Sequence, residues 1–205
     1  MRHWRAAFAT TVVLIAGVSA VSLGTNGWTS WTAESARRIA IQRSPVALPD
    51  AQLIDETGRP ALLTDVGQPI VLMEFIYTRC PTLCQAMGAE FRALQNDLVA
   101  AKLDDHVKLV SVSFDPDNDG PTELADYLAR FGANAALWSA YTIKDTKTLD
   151  RLLHDLGVIV IADQKGGFVH NAAIYFVNDN KVVRVFDFSD RVAILEAVQW
   201  QLQTS

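Results

Sequence analysis

The chain has little cysteine: Cys80 and Cys84 are the only two in 205 residues. That excludes a disulfide-dense scaffold and a closed four-cysteine zinc site. There is no excess of basic charge either. Lys and Arg total 18 against 23 Asp and Glu. No basic stripe carries interleaved aromatics, so nucleic acid is not a partner. No proline lies beyond Pro121, and no internal repeat or low-complexity tract appears. What remains is an ordinary globular composition, long enough for one domain with a core and a short extra segment.

One long uncharged apolar run is present, Ala6 to Leu23. As a helix at ~1.5 Å per residue it spans ~27 Å, close to the ~30 Å hydrocarbon core. A cleavable signal has a shorter apolar region of ~7–15 residues. Trp4 before the run, and Trp28 and Trp31 after it, suit the two membrane–water interfaces. Residues 1–24 therefore read as a retained membrane anchor. The rival is a cleaved signal segment with Val18-Ser19-Ala20 as its site. Arg2 and Arg5 precede the run and Arg37, Arg38 and Arg43 follow it. No cysteine follows it closely, which excludes a lipid-bearing cysteine. Anchor and signal alike export the rest of the chain, to the periplasmic face of the inner membrane in a bacterium, where disulfides form.

Residues 25–48 read as a linker with a short helix over Glu34–Gln42, and residues 49–205 as the folded domain. Short extended runs flank a turn at Gly58-Arg59-Pro60. Ile70–Tyr77 reads as a buried strand, with Glu74 its polar exception. Helical spacing of Met87, Phe91, Leu94 and Leu98 predicts a helix from Pro81 to about Lys102. Val107–Phe114 is a second strand. Helices follow around Leu124–Phe131 and Leu149–Leu156, closed by Gly132 and Gly157. Val158–Ala162 is a strand. A hairpin, Ala172–Val177 and Lys181–Phe186, turns at Asn178-Asp179-Asn180, and Arg191–Gln203 is a terminal helix. This order predicts an α/β fold: a mixed central β-sheet flanked by helices, thioredoxin-like, with chemistry where the first long strand meets its helix.

Cys80 and Cys84 stand at that junction, four residues apart on one helix face. The spacing serves an oxidised pair and a two-thiolate metal clamp equally. Pro81 suits the first helical position. The helix N-terminus and Arg79 both favour thiolate, although a dipole worth ~0.3–1 kcal/mol does not by itself ionise a thiol. Two thiolates are too few for structural zinc and suit Cu(I), particularly with one imidazole added. Of four histidines, His3 precedes the apolar run, His106 sits in a polar loop and His154 on a helix. His170, after Lys165-Gly166-Gly167, opens the strand Ala172–Val177 and is the candidate third ligand. The plain alternatives are a structural disulfide and a bystander histidine.

Tyr77-Thr78-Arg79-Cys80-Pro81-Thr82-Leu83-Cys84 resembles the signature of the Sco/SenC proteins, which assist assembly of cytochrome c oxidase. Ser113-Phe114-Asp115-Pro116-Asp117 is a second matching block. His170 before Ala173-Ile174-Tyr175-Phe176-Val177 is a third. The resemblance covers Asp50 to about Phe188. It implies a thioredoxin-like fold and copper held by Cys80, Cys84 and His170. It also implies delivery of copper to the CuA-bearing subunit of cytochrome c oxidase, or reduction of that site's cysteines. A thiol reductant and a second copper chaperone are the further implied partners. Three positions depart from the family pattern. Gln85 stands where Pro is frequent, Val169 where Asp is frequent, and Asn171 where Ser or Thr is frequent. The lack of proline after Pro121 denies the chain the cis-proline that an ordinary thioredoxin places beside its disulfide.

Asp115-x-Asp117-x-Asp119-Gly120, then Asp126, mimics a calcium loop. An EF-hand needs an entering helix where Val107–Phe114 reads as a strand. Four functions compete: a copper chaperone, a thiol–disulfide oxidoreductase using Cys80 and Cys84, a peroxide-reducing enzyme and a structural domain. The third lacks a Thr-x-x-Cys context.

Overall fold

The chain divides into two units, residues 1–43 and 44–205, in a computed structural model that describes residues 2–25, 27, 32–80, 83–163 and 166–204. In the first unit the apolar run lies within helix α1 (Arg2–Gly24). Among its described side chains, Phe8, Val13, Leu14 and Ile15 are exposed. Among the described residues no helix is long and apolar enough to cross a membrane. Trp28 and Trp31 lie outside the described residues. Helix α2 (Ala33–Arg43) follows. Thr32 caps it, its Oγ1 accepting from the Ser35 N–H at 3.0 Å. Ser35 Oγ accepts from the Thr32 N–H in return at 3.1 Å. Serine thus closes the reciprocal box that Glu or Gln usually closes.

The second unit runs β1 (Val46–Ala47), β2 (Gln52–Asp55), β3 (Pro60–Leu62), β4 (Ile70–Ile76), α3 (Leu83–Ala100), β5 (Val107–Ser113), α4 (Pro121–Phe131), β6 (Trp138–Thr142), α5 (Thr146–Asp155), β7 (Val160–Ala162), β8 (Phe168–His170), β9 (Ile174–Asn178), β10 (Lys181–Phe186) and α6 (Arg191–Thr204). Eight strands form one mixed sheet in the order β1-β10-β9-β4-β5-β6-β2-β3, and β7 and β8 make a separate two-stranded sheet. This is the layered α/β arrangement expected from the sequence.

Every residue of β4 is buried, as its apolar run requires of a central strand. It pairs in parallel with β5 over the full length from Ile70↔Val107 to Ile76↔Ser113, and antiparallel with β9 on its other side. The β9–β10 hairpin turns through Asp179 and Asn180, both in the left-handed region at φ 47° and 61°. That is the conformation a two-residue hairpin favours. Helix α3 buries Cys84, Met87, Gly88, Phe91, Leu94 and Leu98, an i, i+3, i+4, i+7 stripe. Gln95 ties it to the end of α4, donating to the Gly132 carbonyl and accepting from the Asn134 N–H. The proposed first-turn place of Pro81 lies outside the described residues.

Two sequence readings need correction. The sequence pattern marks no strand at Trp138–Thr142, yet the stretch forms β6 with all five residues buried, parallel to β5. Ser139 and Thr142 break its apolar pattern. Nor does His170 open the strand of the hairpin. It closes β8, where Val160 is its partner, and β9 starts only at Ile174. Asn171 causes the break. Its side chain accepts from the Ile159 N–H and donates to the Gly157 carbonyl, which turns the chain toward the end of α5.

Candidate metal centre

The C-terminal end of β4 delivers Tyr77, Thr78 and Cys80 to one rim of the sheet, and the first turn of α3 adds Cys84. His170 arrives from β8, 86 residues away from Cys84 in sequence. The ligand atoms of Cys80, Cys84 and His170 all lie within 4.8 Å of one another. Cys84 Sγ is 3.5 Å from His170 Nε2, and the Cys84 N–H donates to Cys80 Sγ at 3.2 Å. The two cysteines are not joined as a disulfide, and all three residues are buried.

The imidazole is oriented for ligation. Its Nδ1 faces the Asn171 carbonyl at 3.1 Å. A carbonyl only accepts, so Nδ1 carries the proton and Nε2 presents its lone pair to the cysteines. Burial holds His170 below the ordinary imidazole pKa, and the bond to Asn171 opposes that only in part. The ring is therefore neutral near pH 7, the form that binds metals.

At Cys84 burial outweighs the help that Arg79 and the helix start are expected to give a thiolate. Desolvation pushes the Cys84 thiol well up, and the bond from the Tyr77 backbone offsets this only in part. Arg79 instead donates to Asp115 Oδ2 at 2.9 Å, with its side chain half exposed. Metal uptake must then displace a proton that the site itself retains.

Aromatic rings enclose the histidine. Phe114 lies 5.0 Å and Tyr77 6.2 Å from its ring centroid, and Phe168 contacts both aromatics. Only part of this wall was visible beforehand. The Ser113-Phe114-Asp115 block flagged the segment without giving Phe114 a task, and Phe168 carried no signal.

The residues of the calcium-like motif go elsewhere. Asp119 is fully buried and accepts from the Thr78 N–H, the Thr78 hydroxyl and the Ser113 hydroxyl. Asp115 accepts from Arg79 and Asn118. Asp117 and Asp126 face solvent. Asp119 and Asp115 fasten the loop after β5 to the segment that leads from β4 to Cys80. Helix α4 begins after that loop, with Glu123 accepting from the Gly120 N–H at 3.1 Å. Neither His106 nor His154 reaches the centre; both are exposed. The His3 side chain lies outside the described residues.

A sequence profile described as SCO1/SenC matches residues 44–202. The SCO1 protein homolog of Bacillus subtilis (strain 168) is 26% identical over 136 residues, which is 65% of this chain and 69% of that protein. The crystal structure of a SCO1/SenC family lipoprotein from Bacillus anthracis str. Ames superposes with a TM-score of 0.69 at 25% identity, covering 77% of this chain and 96% of that one. The structure of Bradyrhizobium japonicum ScoI with copper bound superposes with a TM-score of 0.61 at 20% identity, covering 75% and 99%. At that identity the likeness concerns the fold.

Proposed function

The chain belongs to the SCO1/SenC family, and on that footing we propose that it is a copper-binding metallochaperone that assists assembly of the CuA site of cytochrome c oxidase. The observation that carries this reading is the convergence of two sulfurs and one imidazole nitrogen within 4.8 Å. That donor set is soft and suits Cu(I). The copper held by the B. japonicum relative supports the same cargo. Cys80 and Cys84 supply the two thiolates, each releasing its proton as the metal is bound. His170 joins neutral, with no proton to lose. Tyr77 and Phe114 pack against the imidazole and Phe168 backs both rings, walling the histidine side of the site.

The recipient is the CuA-bearing oxidase subunit. A thiol reductant readies the pair, and another copper chaperone supplies the metal. Residues 1–24 anchor the chain, 25–48 link, and 49–205 form the copper and redox domain on the exported side of the membrane. The uncharged run Ala6–Leu23 supports the anchor, and the B. anthracis relative is a lipoprotein.

A second reading has its own observation. Cys80 Sγ sits on the backbone N–H of Cys84, where the two sulfurs can join. The pair would then reduce a disulfide on the oxidase subunit or on another exported protein. Cys80 and Cys84 form one S–S bond, the partner's S–S bond breaks, and the two thiol protons pass to the partner's sulfurs.

Copper content of the reduced protein beside its His170→Ala variant separates the readings. The chaperone reading expects one copper per chain and much weaker binding in the variant. Disulfide reduction by a protein that takes up no copper would leave the second reading alone.

A further inference from the structure

The centre is built from two separate pieces. Cys80 follows the end of β4, a strand of the main sheet, and Cys84 lies in the first turn of α3. The histidine sits on the small β7–β8 sheet. Besides the Cys84 Sγ–His170 Nε2 contact, the Tyr77 side chain bonds directly between the pieces. The Tyr77 hydroxyl, three residues before Cys80, donates to the Phe168 carbonyl at 3.2 Å and accepts from the Phe168 N–H at 3.2 Å. Both backbone groups of that residue are thereby engaged two positions before His170. The Tyr77 ring also packs edge-on against Phe168 and lies against His170.

Gly167 makes this approach possible. A Cβ there would stand 3.2 Å from the Tyr77 hydroxyl and 2.9 Å from Asp163 Oδ2. The Gly167 N–H in turn donates to Asp163 Oδ1 at 2.9 Å, which shapes the backbone that Tyr77 grips. On the other side of His170, Asn171 is bonded to Gly157 and Ile159. The strand is thus gripped on both flanks of the ligand, by Asn171 toward α5 and by Tyr77 toward the cysteines. Two hydrogen bonds to one hydroxyl in a half-buried setting are enough to bias a three-residue strand between bound and displaced positions.

We propose that the Tyr77 hydroxyl is the latch that sets His170 against Cys80 and Cys84, a positioning residue that acts on metal affinity through the imidazole. The ring alone fills space. The hydroxyl fixes where β8 lies relative to β4, and metal entry or release that displaces β8 must break both of its bonds.

The inference rests on the three-ligand copper reading, and the test separates the two. The full reduced chain is titrated with Cu(I) in competition with a chromophoric Cu(I) chelator. Tyr77→Phe, which keeps the ring, is expected to bind about tenfold more weakly. Added to His170→Ala, the same change is expected to cost much less, because only the hydroxyl's contact with Cys80 remains. Equal loss in both backgrounds, or no loss in either, overturns the latch. In the metal-free chain, amide exchange at Phe168 and Val169 is expected to quicken in Tyr77→Phe, and unchanged exchange overturns it as well. A wild type that takes up no copper sinks the metal reading and the latch together. A wild type that binds copper as tightly as Tyr77→Phe does sinks the latch alone.

Discussion

Glu74 is an acid in the middle of a fully buried strand, and the fold leaves it half satisfied. Ser111 and Tyr127 both donate to its Oε1, at 2.7 and 3.1 Å, and Trp138 in turn donates to the Ser111 hydroxyl. Among the described residues Oε2 has no partner. Burial raises the carboxyl from 4.5 to about 8, against the pull of its two donors. Near pH 7 the proton therefore resides on Glu74, at the oxygen that accepts no bond. The native state holds this proton where the unfolded chain loses it. The stability that Glu74 contributes is full below about pH 4.5, falls as pH rises, and reaches its floor above about pH 8. Glu74→Gln keeps the shape and removes the titration. In urea melts the variant is expected to gain on the wild type progressively across that window, by roughly 3–5 kcal/mol at pH 9. A difference independent of pH would contradict this. Asp119 is the opposite case, an acid with three donors around it. Asp119→Ala strands those donors, and urea melts are expected to show a loss of about 3 kcal/mol or more. Neither role was legible in sequence. Glu74 stood out as an exception to a hydrophobic run, and Asp119 as part of a misleading acidic motif. A residue's letter shows that a charge is present, while its partners come from strands far away in the chain.

Among the elements, α3 and α4 meet at a point where nothing larger than hydrogen fits. A Cβ on Gly88 would stand 2.4 to 2.7 Å from the Phe131 ring. The ring is itself held against Trp138 and Tyr127, so it has little room to yield. Gly88→Ala is expected to cost about 1–3 kcal/mol despite the better helix propensity of alanine. Pairing it with Phe131→Leu is expected to restore much of the loss, read as a change in thermal midpoint. The elements that sequence reading found were those with a strong period or a strong stop: β4, α3, α4 with Gly132, and the β9–β10 hairpin. β6 escaped because its burial comes from neighbours on both sides rather than from apolar alternation. The place of His170 on β8 escaped for a related reason. Asn171 ends that strand through side-chain bonds to Gly157 and Ile159, and local propensity gives no hint of them. The cysteine pair was legible because its partners are four residues apart, whereas the residues alone left His170 open between ligand and bystander.

At the scale of the molecule, all three proposed ligands belong to the unit formed by residues 44–205. A chain of those residues is expected to bind Cu(I) as the full chain does. Copper that binds only the native state adds about 4 kcal/mol when free metal is a thousandfold above Kd. The reduced protein should therefore melt higher with Cu(I), return to its starting midpoint when a chelator strips the metal, and show no such rise once Cys80 and Cys84 are oxidised to each other. A midpoint indifferent to copper in the reduced state would contradict this. The ends of the large sheet bear on how the protein behaves in company. One end is β3, three residues beginning with Pro60, which lacks an N–H to offer. The other is β1, only two residues long, pairing at Val182 and Lys181 of β10. Past that pairing β10 carries a register shift between Val182 and Arg184, and Arg184 brings a charge. Neither margin presents a long, flat, unpaired ladder, so the large sheet offers other copies no ready template on which to stack into fibres, even at high concentration.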